Sequence, residues 1–190
     1  MKKTILAVMA ASTLALGGLA AFAHGGATGI VKQRMDQMVT LREAMKTLKE
    51  ELALGGPYDA YKVAAAAAAV KRNSGEALTS KFPQGSLPMA SEALPTVWTD
   101  WGRFSSLAMQ LEAYAGALET AAANRIPNDH GTDMGVGMMG SGTMMGGGMM
   151  GGAGPDAAQL AQMPPMASFQ AIADTCSACH TGFRKKKDGN

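Results

Sequence analysis

The chain is short of nearly everything that would point to a sheet or a disulfide scaffold. Only two of its 190 residues are cysteines, so one disulfide is the most it can form, and a stapled mini-domain is excluded. Aromatic residues make up 5 %, and no stretch alternates apolar and polar residues long enough to build strands, which excludes a sandwich or barrel. No repeat recurs at solenoid periods. Charged residues are 17 % of the chain, with a formal net charge of +2, too little of one sign to mark a nucleic-acid surface. No acid–base pair, nucleophile triad or phosphate loop stands out, so the sequence is not read as that of an enzyme. The apolar run from Ile5 to Leu19 falls short of the roughly 20 residues that span a bilayer.

That run does have a role. Lys2 and Lys3 precede it and Ala21-Phe22-Ala23 follows it, the order of a secretory signal peptide. Residues 1–23 are therefore read as removed, leaving His24 at the mature N-terminus of an exported, periplasmic chain with no membrane attachment. An uncleaved anchor is the competing reading, opposed by the short run and the small-residue site. Cleavage removes two lysines and no acid, taking the formal charge from +2 to zero. Residues 24–190 then make one domain.

Helical periodicity fills most of that domain. From Ile30 to Leu54, Val31, Met38, Met45 and Leu52 recur every seven residues, with Met35, Leu41 and Leu48 between them and Lys32, Arg34, Arg42 and Lys46 on a polar face. Gly55-Gly56 ends this helix, and Pro57 predicts a restart that runs from Tyr58 to Arg72 through the six alanines Ala64 to Ala69. Asn73-Ser74-Gly75 weakens its end. The segment KFPQGSLPMASEALP, with three of the eight prolines, reads as a connecting loop. After Pro95, Trp101, Phe104, Ala108, Leu111, Ala115, Leu118 and Ala122 form one face of a third helix, with Trp98 a turn earlier on a neighbouring face. A fourth helix runs from about Pro165 to Lys186, with Phe169, Ile172, Cys176, Cys179 and Phe183 on one side. Lys185, Lys186 and Lys187 end it as a solvated cationic tail.

Between the third and fourth helices lies an insert, residues 126–156. Its densest part, 131–155, holds seven of the sixteen methionines and eleven of the twenty-four glycines, without an apolar period. The pairs Met138-Met139, Met144-Met145 and Met149-Met150, with Met134 and His130 nearby, form a soft-ligand set suited to copper(I), and His24 adds an amine and imidazole suited to copper(II). A low-complexity linker with adaptable methionines is the plainer reading.

The strongest chemical signal is Cys176-Ser177-Ala178-Cys179-His180. Two thiols one helical turn apart can take both vinyl groups of a haem, and the next residue supplies an imidazole for the iron. A redox dithiol is the alternative, but it belongs in a βαβ setting that this helical pattern does not supply.

With that motif in the last of four helices, followed by Phe183-Arg184, the chain resembles the class II c-type cytochromes, the cytochrome c′ family. IVKQRMDQM in the first helix and VWTDWGRF in the third are also similar to that family. The likeness covers roughly Ile30 to Arg125 and Ala167 to Lys187, and the methionine-glycine insert departs from it. The resemblance implies an all-α, antiparallel up-down-up-down four-helix bundle with the long Met/Gly-rich loop between helices three and four. It also implies one covalent haem c held by Cys176 and Cys179, with His180 as proximal iron ligand and Met38 on the opposite face.

Two functions hang on Met38. As a sixth ligand it makes a low-spin carrier of single electrons that meets redox partner proteins. As core filling or a lid over an open iron face, it leaves a protein that binds nitric oxide or carbon monoxide. Arg34 and Arg184 have the chemistry to pair with haem propionates, with solvated helix-face arginines the plainer alternative. The resemblance also admits a homodimer. The two tryptophans, Phe104 and Phe183 read as core or pocket wall and not as an electron path.

Overall fold

The structure, a computed structural model, describes residues 27–53, 55–88, 91–124 and 155–186. Residues 1–23, read as a signal peptide, His24, Lys187 and the methionine pairs lie outside the described residues. Four long helices carry the fold: α1 (Gly29–Leu52), α2 (Ala60–Arg72), α5 (Trp101–Ala121) and α7 (Pro165–Phe183). Three single-turn pieces, α3 (Gly75–Thr79), α4 (Thr96–Thr99) and α6 (Ala157–Leu160), sit in the connections. No strand occurs among the described residues. The architecture is an all-α four-helix bundle.

Helix α5 is the central element, packed along both α2 and α7, while α1 leans mainly on α2 and meets α7 only thinly. Six of the seven residues predicted for the inner face of the third helix are buried, Phe104, Ala108, Leu111, Ala115, Leu118 and Ala122. The seventh, Trp101, is 41 % exposed. It stands just after Asp100, whose φ of −125° and ψ of 49° break the helix between α4 and α5 and turn its first residue outward. On α2, Val63, Ala66, Ala67 and Val70 are buried, and the alanines let the helix backbones approach closely.

Several predicted boundaries shift for local reasons. Helix α2 starts at Ala60, not at Tyr58, because the Asp59 carboxylate caps it by accepting from the Tyr61 and Lys62 amides. Between the predicted breaker at residues 73–75 and the predicted loop at 81–95 stands α3. Gly75 opens it with φ +57°, and a Cβ there would meet the Glu112 carboxylate. Helix α7 stops at Phe183, since Arg184 is extended and forms an antiparallel bridge with Ala93. The tail is not simply solvated: the Lys185 amide donates to the Glu92 carbonyl and its ammonium to the Ser91 carbonyl, both at 2.8 Å.

The two ends of the methionine-glycine insert are tied together. The Asn124 amide donates to the carbonyls of Ala161 and Met163 at 3.0 Å each, and the Tyr58 hydroxyl donates to the Asn124 carbonyl at 2.6 Å. The bundle therefore closes at Asn124 and Ala161, on either side of the insert.

The buried apolar side chains fall into two clusters. The larger spans α1, α2, α5 and α7 and is built of leucine, valine and alanine with Tyr114 and Ile172. The smaller, at the other end, joins Leu78, Phe82, Val97, Phe104, Ala108 and Phe183. Phe104 is its hub, with ring centroids 4.9 Å from Phe82, 5.3 Å from Phe183 and 5.6 Å from Trp101.

Candidate functional site

The cysteine motif occupies the end of α7, where Ile172, Cys176, Cys179 and Phe183 make one inward stripe at steps of four, three and four. Both cysteines are half-buried and unbonded. Their surroundings differ, since Cys176 packs on the larger cluster and Cys179 on the smaller. Among the described residues one side chain, Met38 of α1, packs on both. The motif and Met38 therefore both border the seam between the two clusters, carried by two long helices that touch each other only thinly.

Electrostatics at the thiols runs against a redox dithiol. Burial raises both, and Cys179 is pushed up to about 11, with Cys176 adding to the effect and Arg103 opposing it. Thiol–disulfide chemistry near neutral pH needs the opposite, a depressed pKa that supplies thiolate. His180 sits beside the stripe with an exposed edge. Burial of the rest of its ring lowers its pKa, the Arg184 guanidinium acts in the same sense and the Glu92 carboxylate opposes them. The imidazole is neutral at pH 7, with a nitrogen lone pair available.

The two arginines singled out in the sequence lie in different settings. Arg34, assigned by periodicity to a polar helix face, is 5 % exposed. Its Nε donates to the Lys81 carbonyl at 2.6 Å and its Nη1 to the Ser86 carbonyl at 2.8 Å, while Nη2 donates to the Ser86 hydroxyl. The guanidinium lies 4.3 Å from the centroid of the Phe82 ring. Among the described residues no carboxylate pairs with it, and two of its five N–H hydrogens remain unused. Burial lowers its pKa. A cation this deep without a counter-charge is costly.

Arg184 has its anion. Nε and Nη2 both donate to one Glu92 oxygen, at 2.8 and 2.5 Å. The plain solvated-arginine reading therefore fails for Arg34, and Arg184 is engaged by Glu92.

The sequence reading missed the connecting segment as part of this region. Phe82 and Ser86 receive Arg34, Glu92 receives Arg184, and Trp98 donates from its indole to the Phe82 carbonyl at 2.9 Å. Phe82, Gln84, Trp98 and Trp101 also line an open cleft of about 320 Å³ beside the smaller cluster. The segment had been read through its prolines alone, and no spacing rule ties Phe82 or Glu92 to residues so far away in sequence.

No curated protein matches the chain in sequence. The family described as Cytochrome C′ matches residues 29–138, more than half of the chain and short of Cys176. Among solved structures, cytochrome c′ from Rhodopseudomonas palustris is similar with a TM-score of 0.57 at 23 % identity, over 85 % of this chain and 100 % of that one. Cytochrome c′ from Thermochromatium tepidum gives 0.55 at 20 % identity, over 83 % and 95 %. A nitric oxide complex of a mutant cytochrome c prime from Alcaligenes xylosoxidans gives 0.55 at 21 %, over 83 % and 94 %. At such identities the structures establish the bundle fold. The sequence match rests on residues that exclude the cysteine motif, so it does not restate that motif. The chain therefore belongs to the cytochrome c′ family, the c-type cytochromes that carry covalent haem c in a four-helix bundle.

Proposed function

We propose that the protein is a periplasmic electron carrier that attaches haem c through Cys176 and Cys179 and ligates its iron with His180 and Met38. The observation that carries this reading is the position of Met38, shared by the two clusters that divide the cysteines between them. The donor set fits the group: two unbonded thiols one turn apart, a neutral imidazole next to them, a thioether on the facing helix, and a buried guanidinium without an anion. Bound haem supplies a one-electron iron couple whose potential Met/His ligation raises.

The chain's own residues supply the rest. The thiols fix the group to α7, and the neutral His180 offers its lone pair without first losing a proton. Arg34 is the better partner for a propionate, because among the described residues its charge is unpaired and donors remain, whereas Arg184 is held by Glu92. The phenylalanine cluster around Phe104 excludes water from one side of the seam. Export by residues 1–23 places the protein where c-type cytochromes of this kind meet redox partners, and no described helix is long and apolar enough to cross a membrane. Its part is that of a carrier, not a catalyst. Copper binding rests on residues 131–155 alone, outside the described residues.

Gas binding is the second reading. Met38 is half-buried, and no side-chain hydrogen bond fixes a thioether, so it can pack as a lid. One similar structure is itself a nitric oxide complex.

Optical spectra of the oxidised protein separate the two. Methionine ligation gives a low-spin ferric spectrum with a weak far-red sulfur-to-iron band, and Met38→Ala converts it to high-spin and admits carbon monoxide to the reduced form. A high-spin wild-type spectrum unchanged by Met38→Ala would sink the ligation and leave the gas-binding reading.

A further inference from the structure

We infer that Glu92 is a positioning residue for the iron site: it pairs with Arg184 beside His180, cancels the guanidinium's charge there, and so keeps the reduction potential below the value Arg184 alone would set. The inference rests on the reading of His180 as iron ligand.

The geometry places both charges at that ligand. Arg184 follows His180 by four residues, and its amide donates to the His180 carbonyl at 3.3 Å, so the chain leaves the end of α7 one turn beyond the imidazole. Glu92 is brought there by a strap, residues 91–96, stitched to the helix end. The Leu94 amide donates to the Phe183 carbonyl at 2.9 Å, the Lys185 amide to the Glu92 carbonyl at 2.8 Å, and the Thr96 hydroxyl to the Gly182 carbonyl at 2.8 Å. The bridge between Ala93 and Arg184 fixes the register. The Glu92 carboxylate is thus delivered by backbone pairing and does not depend on a chance surface encounter.

The two charges, of opposite sign, are paired at the residue whose amide bonds the His180 carbonyl, close enough to act on charge at that imidazole in opposite senses. The same two charges act on iron bound at that imidazole. A guanidinium without its carboxylate stabilises the less positive, reduced state; a carboxylate without its guanidinium stabilises the oxidised state. A second cation, Arg103, approaches Gly182 and acts on Cys179, while the Glu92 carboxylate is paired with Arg184. The pair is partly open to solvent, with side-chain exposures of 39 % for Arg184 and 57 % for Glu92, so salt screens its effect.

The test uses the holoprotein with Glu92→Gln, Arg184→Gln and the double variant, each titrated spectroelectrochemically at low and high salt. Haem staining after denaturing electrophoresis and thermal melts verify attachment and folding. Glu92→Gln is expected to raise the potential and Arg184→Gln to lower it. Each changes the oxidised-to-reduced ratio at fixed potential by about threefold to tenfold, tenfold being about 59 mV for one electron. The double variant returns close to wild type, Glu92→Asp retains most of the wild-type value, and high salt shrinks both single shifts. A merely structural clasp predicts shifts of one sign, or lower melting temperatures with no shift, and either result overturns the inference while the haem assignment stands. A wild-type chain that carries no covalent haem overturns the assignment and this inference with it.

Discussion

The two ends of the bundle are built from different materials. The larger cluster has seventeen buried members, mostly leucine, valine and alanine, drawn chiefly from the four long helices. The smaller has six, three of them phenylalanine, and recruits its members largely from the connections and helix ends. Close-packed aliphatic side chains suit an interior that only has to hold together. Aromatic rings that leave half-buried neighbours such as Trp98, Leu107 and Cys179 around them suit a wall that must accept another flat group. The difference teaches that stability and function are separated along the bundle axis, with Met38 and the cysteine pair at the join. Mutations should sort accordingly.

The largest expected effect falls at the aliphatic end. Leu118 is fully buried in α5 at the centre of the larger cluster. Leu118→Ala removes its packing and leaves a partly collapsed cavity, at a cost of about 3 kcal/mol. Chemical unfolding of the holoprotein should show this loss, while haem content and the optical spectrum stay as in wild type. A changed spectrum would mean that the two ends are mechanically coupled.

Arg34→Met breaks the comparison from the other side. It removes three hydrogen bonds and leaves the carbonyls of Lys81 and Ser86 without their donor, costing about 2 kcal/mol. Unlike the leucine change, it should also perturb the haem: the expected result is a shifted midpoint potential that becomes less dependent on pH in the range where propionates titrate. A variant that loses stability while keeping the wild-type potential and pH profile would make Arg34 a tie for the 81–86 segment and nothing more.

Much of the aliphatic end was legible in the sequence, because periodicity reports burial directly. Leu111, Ala115, Leu118 and Ala122 were named from spacing, and all are buried in the larger cluster; the same spacing reached into the aromatic end only as far as Phe104 and Ala108. The other end was read less well. Periodicity put Arg34 on a polar face since arginines are usually exposed, and only a carbonyl cage formed by a loop some fifty residues away explains its burial. It placed Trp101 inside, although the break at Asp100 turns it out. The cysteine motif announced its own chemistry through spacing. What surrounds it, Phe82, Ser86 and Glu92, comes from a proline-rich connection whose path is set by tertiary hydrogen bonds, which no local pattern encodes.

The smallest expected effect sits at the join and depends on pH. In the haem-free chain Cys179 is pushed up to about 11 from an ordinary value of 9.0, and Cys176 also rises, both chiefly by burial. Between those values the unfolded chain releases thiol protons that the folded chain keeps, so the unfolded state binds fewer protons and stability falls as pH rises. Below pH 9 the contribution is fully present, and it is lost as pH climbs toward 11. The expected loss is about 1–2 kcal/mol, in urea unfolding of haem-free protein compared at pH 8 and pH 10.5. Cys176→Ser with Cys179→Ser removes the titrating groups, so this component of the alkaline loss should vanish in that variant, as it should in the holoprotein, where thioethers carry no proton to lose. Equal alkaline losses in all three proteins would assign the effect to other groups and would mean that the two sulfurs are not buried between the clusters when haem is absent.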